Sequence, residues 1–312
     1  MRGAVAWRIV RSRGLTMLAL GVVAFALLRA APGDPAGILL RASGDEPTPE
    51  ALAATRRSMG LDQPYPTQFG RWVIGIVHGD LGRSFRNGLP VAPEVWRAFG
   101  TTLRLASVAW GLTMALSLVL ASSAARRDGG FCDRVVRTFV SLGASLPGFA
   151  VGLLLMRLLA VEWKVLPVAG FDSPRHVVIP AVTLTLGALA LHTRLLRAGL
   201  RAAFDAPFVD AVRAKGLPEG HIIRGHLLRI AAPPSVAASA VLFGNLLVGS
   251  TLIEPLFAIP GLGRLAVDAV GQRDQPVLQA YVLLIGAGFI VVNLIADLSV
   301  VALDPRLREA TS

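Results

Sequence analysis

Cysteine, lysine and charge of either sign are all scarce in this chain, and each scarcity removes a class of function. The single cysteine, Cys132, permits neither a disulfide framework nor a cysteine-based metal cluster built from this chain alone. Only two lysines occur, Lys164 after Trp163 and Lys215 after Ala214, so the Gly-Lys-Ser/Thr signature that cradles nucleotide phosphates is missing. Neither a Gly-x-Ser-x-Gly nucleophile turn nor a His-Glu-x-x-His zinc helix is present, and no catalytic residue is expected. Charged residues make up 16% of the 312 positions, against about 25% for an ordinary soluble domain. With 54% hydrophobic residues and a mean hydropathy of +0.60, a wholly water-facing surface is excluded.

The charges that remain are lopsided: 31 basic against 20 acidic residues, net +11. A nucleic-acid surface would gather such an excess on one wettable face. Here long apolar runs separate the charges, so no nucleic-acid partner is expected. Six runs free of charged side chains lie at 14–28, 105–125, 138–156, 176–193, 230–253 and 275–296. A hydrocarbon core takes about 20 apolar residues to cross. The runs therefore predict an all-α integral membrane protein with six transmembrane helices. The first run is short and borders Arg29, whose long side chain is able to snorkel toward headgroups.

Alternate hydrophilic segments carry the charge excess. Residues 1–14, 124–138, 194–230 and 303–312 carry +4, +2, +4 and 0, whereas 29–97, 157–176 and 254–276 carry +1, +1 and −1. Arg and Lys are retained in cytoplasmic loops during insertion, which predicts both termini in the cytoplasm. An Arg-rich start, a short apolar run and the small Ala30 and Ala31 also fit a cleaved signal peptide. The expected organisation is a cytoplasmic N-terminus and first helix (1–29), a hydrophilic extracytoplasmic insert (30–96) and a five-helix core (97–312). Within the insert, Thr48-Pro49-Glu50 marks a helix start and Gly60 its stop. A second amphipathic stretch, 68–78, is expected to bury Phe69, Trp72, Val73 and Ile76.

The cytoplasmic segment Asp205-Ala-Pro-Phe-Val-Asp-Ala-Val-Arg-Ala-Lys-Gly216 reads as a short helix. Pro207 stands early, Phe208, Ala211 and Ala214 recur at helical spacing, and Gly216 with Pro218 ends it. Small residues let a partner approach closely; a plain connector between two membrane helices has the same pattern. Its core, Asp210-Ala-Val-Arg-Ala-Lys-Gly216, resembles the EAA loop of ABC importer permeases, with Val212 where that loop has its second alanine. Further matches run in order: Ala31-Pro-Gly-Asp-Pro35, Gly60-Leu-Asp-Gln-Pro64, Gly79-Asp-Leu-Gly-Arg-Ser-Phe85, Ile179-Pro-Ala-Val-Thr183, Pro260-Gly-Leu-Gly-Arg264 and Leu303-Asp-Pro-Arg306. Together they are similar to the permeases of dipeptide, oligopeptide and nickel uptake systems.

That resemblance implies a type I ABC importer permease fold with the first helix retained. It implies four kinds of partner: a second, homologous permease subunit, two cytoplasmic ATPase subunits, an extracytoplasmic solute-binding protein, and membrane lipid. ATP and Mg would belong to the ATPase subunits, with no cofactor in this chain. It assigns ATPase coupling to the loop at about 201–226, through Phe208, Asp210, Ala211, Arg213, Lys215 and Gly216. Local similarity around Pro47 to Pro64 points to nickel or a nickel-metallophore complex as cargo, with di- or oligopeptides as the alternative.

Candidate pathway or gate residues are Pro147, Thr183, Asn245, Glu254, Asn293 and Asp297. Pro147-Gly148 interrupts the third run, as a pathway bend or a packing kink. Thr183, Thr185, Asn245 and Asn293 are polar at membrane depth, where lining a path and helix-to-helix hydrogen bonding are equally served. Glu254 reads as a gate or binding-protein contact, and Asp297 as an acid at the membrane's edge. The histidines His78, His176, His192, His221 and His226 form no ligand cluster, and no metal site is expected. An ion-coupled secondary transporter would carry several intramembrane acids and an internal repeat; Asp297 stands alone and no repeat is evident.

Overall fold

The computed structural model describes residues 11, 14–26, 34–42, 47–126, 128–216, 218–222, 225 and 227–303. His226, the Leu303-Asp-Pro-Arg306 motif beyond its first residue, most of Ala31-Pro-Gly-Asp-Pro35 and the side chain of Phe208 lie outside the described residues. Among the described residues the chain is helical, with one isolated β-bridge between Arg83 and Pro90.

The helices are α1 (Gly14–Ala26), α2 (Pro35–Ala42), α3 (Pro49–Ser58), α4 (Tyr65–Val77), α5 (Val91–Ala125), α6 (Phe131–Ser145), α7 (Gly148–Leu155), a π-helical turn (Met156–Glu162), α8 (Pro174–Phe204), α9 (Phe208–Ala214), α10 (Glu219–Ile222), α11 (Leu228–Leu256), α12 (Leu262–Gln272) and α13 (Gln275–Leu303). Four of them, α5, α8, α11 and α13, are long and apolar enough to cross a membrane unbroken. The third run is not one helix: α6 and the α7 segment meet at 98° across Leu146-Pro147. Proline lacks the N–H that would continue the ladder, and the residue before it is pushed to extended backbone, as at Leu146 (ψ 132°). As one broken span this pair makes five candidates, and α1 is a shorter apolar helix. Six full-length spans are thus not all present among the described residues.

The fold divides into two compact units. One holds residues 1–102 and 259–287, the other 103–258 and 288–312.

In the first unit, the expected helix start is realised: Thr48 Oγ1 accepts from the Ala51 amide (3.3 Å) and Pro49 occupies the first turn. Gly60 adopts φ +66°, and the Leu61 N–H returns to the Arg56 carbonyl at 2.8 Å. That left-handed stop is cheap only for glycine. The following helix begins at Tyr65, and its buried residue is Gln68, while Phe69, Trp72, Val73 and Ile76 are half-buried. Phe69 meets Phe25 of α1 edge-on at 5.3 Å between ring centres, and Trp72 tilts against both, at 5.9 Å from Phe25 and 5.8 Å from Phe69. Beyond Pro260-Gly261 the chain enters α12, unexpected from the apolar runs because of its mixed composition. It docks Leu262 and Ala269 against Val91, Val95 and Ala98 of α5 and Val277 and Ala280 of α13, and Thr102 Oγ1 accepts from the Leu262 amide at 2.8 Å.

In the second unit α8 packs extensively against α11, and α6 and α7 both pack on α8. Small residues permit this closeness. A Cβ on Gly199 would stand 3.4 Å from that of Ala231, and one on Gly152 of α7 would meet Thr183 Cγ2 at 3.1 Å.

Candidate translocation and coupling site

Two features of the second unit hold most of the residues expected to act: a cavity between helices and the short helix α9. The cavity, about 540 Å³, lies among α7, α8 and α11. Its walls are aliphatic and aromatic, with Thr183, His192 and Asn245 as the polar side chains. The break at Leu146-Pro147 positions it, because it turns α7 so that Gly148 and Phe149 form one wall. Exposed apolar side chains, Leu191, Val241 and Leu252 among them, continue its surface outward. No carboxylate or thiol lines it among the described residues.

Of the pathway residues expected from sequence, Thr183 and Asn245 line this cavity and Pro147 precedes its first lining residue. Thr183 is buried and spends its hydroxyl proton on the Ile179 carbonyl at 2.8 Å; Asn245 is exposed to the cavity. The others lie elsewhere. Glu254 follows the lining residue Ile253 but is fully buried. Asn293 donates to the Phe289 carbonyl of its own helix at 2.8 Å, and Asp297 is exposed near the end of α13. Thr185 takes the structural role, bonding the Ala109 carbonyl of α5 at 3.1 Å. Sequence reading passed over His192, which is buried on the cavity wall within 2.9 Å of Ser117 Oγ and 3.4 Å of the Ser235 carbonyl. Its sign in the sequence is a lone histidine inside a charge-free run.

The α9 helix covers one end of this unit. Val209 is fully buried and Val212 half-buried in a cluster with Leu196, Leu200 and Phe204 of α8, Ala121 and Ala125 of α5, and Ile222 and Leu227. The residue that departs from the EAA pattern, Val212, is therefore an anchor to the protein's own body. Asp210, Ala211, Arg213, Ala214, Lys215 and Gly216 are exposed on the other side. Asp210 and Arg213 pair loosely at 3.5 Å, and Arg213 also sits over the Phe204 ring at 5.9 Å. Gly216 has φ +77°, a backbone state that a side chain disfavours. The arrangement is a short rigid ledge, fixed by two valines and offering small and charged groups outward.

One ion-pair cluster ties this end together. Arg197 of α8 gives Nε to Asp133 Oδ1 (2.6 Å) and a terminal nitrogen to Asp128 (2.8 Å), and Asp133 Oδ2 accepts from the Gly129 amide at 3.1 Å. Asp133 is completely buried at the start of α6. Its carboxylate joins the helix that carries α9 to the helix that leads into the cavity wall.

The sequence matches known families over most of its length. The family described as binding-protein-dependent transport system inner membrane component covers residues 117–309, and its N-terminal companion covers 5–106. The glutathione transport system permease protein GsiC of Pectobacterium atrosepticum is 37% identical over 295 residues, 94% of this chain and 95% of that one. A probable peptide ABC transporter permease protein, y4tP of Sinorhizobium fredii, is 32% identical over 300 residues with the same coverage. Among solved structures, a chain of the MetNI methionine ABC transporter in inward-facing conformations superposes with a TM-score of 0.56. Its identity is 19%, over 67% of this chain and 96% of that one.

Proposed function

Because the chain belongs to the family of binding-protein-dependent transport system inner membrane components, and is a permease subunit of an ABC importer, we propose that its cargo is a small peptide of the glutathione class. The observation that carries this reading is full-length similarity to permeases named for glutathione and peptide. It moves the cargo away from nickel, the expectation from local sequence, and toward the peptide alternative. The cavity is in keeping with it: Asn245 and His192 offer polar groups and Thr183 an acceptor oxygen, while among the described residues no carboxylate or thiol is there to strip water from a bare divalent cation.

An ABC importer permease works with ATPase and binding-protein partners. The proposed assembly has two ATPases and a second, homologous permease facing the exposed apolar surface around Leu191, Val241 and Leu252. ATP and Mg reside in the ATPases. In this reading both termini and α9 are cytoplasmic, and the 30–96 insert is extracytoplasmic. ATPase closure pushes on the outer face of α9, that is Asp210, Ala211, Arg213, Lys215 and Gly216 with Phe208 at its start. Through Val209 and Val212 the push reaches Leu200 and Phe204, so α8 moves as one lever and carries Thr183 and His192 with it. Pro180 inside α8 removes one ladder hydrogen bond at the far end of that lever and gives it a place to bend.

The test is uptake by the complete system in proteoliposomes: labelled glutathione, a tripeptide and nickel ion, each with and without ATP inside. ATP-dependent accumulation of glutathione or tripeptide is expected. Accumulation of nickel alone would overturn the cargo assignment while leaving the permease role intact.

A further inference from the structure

The first unit contains a second cavity, of about 610 Å³, that the transport pathway does not use. That volume is within the roughly 300–1,000 Å³ of small-molecule sites. Helices α1 to α4, the 82–88 loop and the start of α13 converge on it. Gln68 is one of its walls, 8% exposed. The Gln68 amide nitrogen is spent on the carbonyls of Gln63 (2.6 Å) and Leu61 (3.4 Å), and its carboxamide oxygen has no hydrogen-bond partner among the described residues. That oxygen is sealed off as well as unmet, so Gln68 serves as wall and not as a contact. Gln279, 6% exposed, lines the same cavity, and its carboxamide makes no hydrogen bond among the described residues; a buried polar group left unmet costs about 1–3 kcal/mol, so this carboxamide is a place for a ligand's donor.

Positive charge stands at the loop. Arg83 and Arg86 both border the cavity, and no carboxylate lines it among the described residues. The Arg86 guanidinium makes no ion pair among the described residues, whereas Arg83 holds the Gly88 carbonyl at 2.9 Å. The loop that carries them is pinned from below by the buried Asp274. The Ser84 hydroxyl donates to that carboxylate, the Phe85 amide does so at 3.0 Å, and the Arg86 amide reaches Ser84 Oγ at 3.2 Å. Arg86 is thereby mounted on a rigid turn. The remaining wall is apolar, with Phe25, Leu39 and Trp72.

We propose that this cavity binds a small anionic peptide, its backbone N–H on Gln279, its carboxylates toward Arg86 and Arg83, and its side chain against Trp72. The inference rests on the peptide reading of the cargo and adds a site distinct from the pathway, on which arriving peptide is held by the permease itself. Positive charge without a matching acid selects carboxylate-bearing peptides over cationic ones.

The experiment is calorimetric titration of glutathione into the permease–ATPase complex in nanodiscs, with no binding protein present. Saturable binding is expected, weakened roughly tenfold or more by Gln279→Leu and by Arg86→Ala, as loss of a charge-assisted or buried hydrogen bond implies. Arg86→Lys should recover part of the affinity. Arg71→Ala, an exposed α4 charge outside the cavity, should leave it unchanged. Absence of binding in a complex whose complete system imports glutathione would overturn this site and spare the cargo assignment. Equal affinity in wild type, Gln279→Leu and Arg86→Ala would also overturn it. So would binding that appears only when phosphatidylethanolamine is removed from the nanodisc without responding to Gln279→Leu, which would mark a lipid headgroup site.

Discussion

Replacing Arg197 by alanine removes the cation from a node that joins α8, α6 and the loop between α5 and α6. Two carboxylates lose a partner, and the structure separates their contributions. Asp128 keeps 57% of its side chain in solvent, where an ion pair contributes about 0–1 kcal/mol. Asp133 is fully buried and is left with the Gly129 amide and the more distant positive charge of Arg137. An uncompensated buried charge costs about 3–5 kcal/mol, reduced where water follows into the space the arginine vacates. Arg197 is itself only 20% exposed, so that relief is partial, and about 3 kcal/mol is expected for Arg197→Ala against under 1 kcal/mol for Asp128→Ala. Thermal unfolding of the detergent-purified permease, followed by tryptophan fluorescence, provides the assay in a double-mutant cycle with Asp133→Ala. The coupling between Arg197 and Asp133 should exceed about 1.5 kcal/mol, and the double variant should be more stable than Arg197→Ala alone. A coupling under about 0.5 kcal/mol, or an Asp128→Ala as damaging as Asp133→Ala, would refute the reasoning.

Other substitutions probe the remaining joints. Gly216→Val forces a β-branched residue to φ +77° at about 1–3 kcal/mol; uptake per assembled complex should fall several-fold while ATP hydrolysis continues. Gly152→Val places a side chain where even a Cβ is 3.1 Å from Thr183, so α7 must separate from α8 and both stability and uptake should drop. Asp274→Ala leaves the Ser84 hydroxyl and Phe85 amide without their acceptor, about 1–3 kcal/mol of local stability, read as faster proteolytic cleavage within 83–89.

How far the molecule was legible depended on the range of the physics involved. Local signals survived: the Thr48-Pro49 helix start, the Gly60 and Gly216 stops and the Pro147 break each appear where the sequence put them, because each is set by one residue's own backbone chemistry. The long apolar runs became α5, α8, α11 and α13 for the same reason, as length and hydropathy are local. Partner choice was not local. In α9 the spacing of Phe208, Ala211 and Ala214 looked like the organising stripe, yet Val209 and Val212 are the anchors, since what α9 faces is decided by α5 and α8. Asp274 holds a loop 190 residues earlier in the chain, a pairing that no window on the sequence reveals. Gln68 was passed over because burial of a carboxamide among aromatics contradicts its polarity. The pathway residues divided by the same logic: Thr183 and Asn245 reach the cavity, whereas Thr185 and Asn293 satisfy backbone carbonyls of α5 and α13.

The outward face of α9 as the surface through which ATP hydrolysis drives this permease is tested most directly by site-directed cross-linking to the ATPase subunit. In a Cys132→Ser background, because Cys132 is exposed, single cysteines at positions 211, 214 and 209 would each be paired with cysteines placed across the surface of the ATPase subunit. Adducts from Ala211→Cys and Ala214→Cys that change in yield when ATP is added, with none from the buried Val209→Cys, are the predicted result. Adducts from Val209→Cys alone, or none from any position in an assembled and ATP-hydrolysing complex, would contradict it.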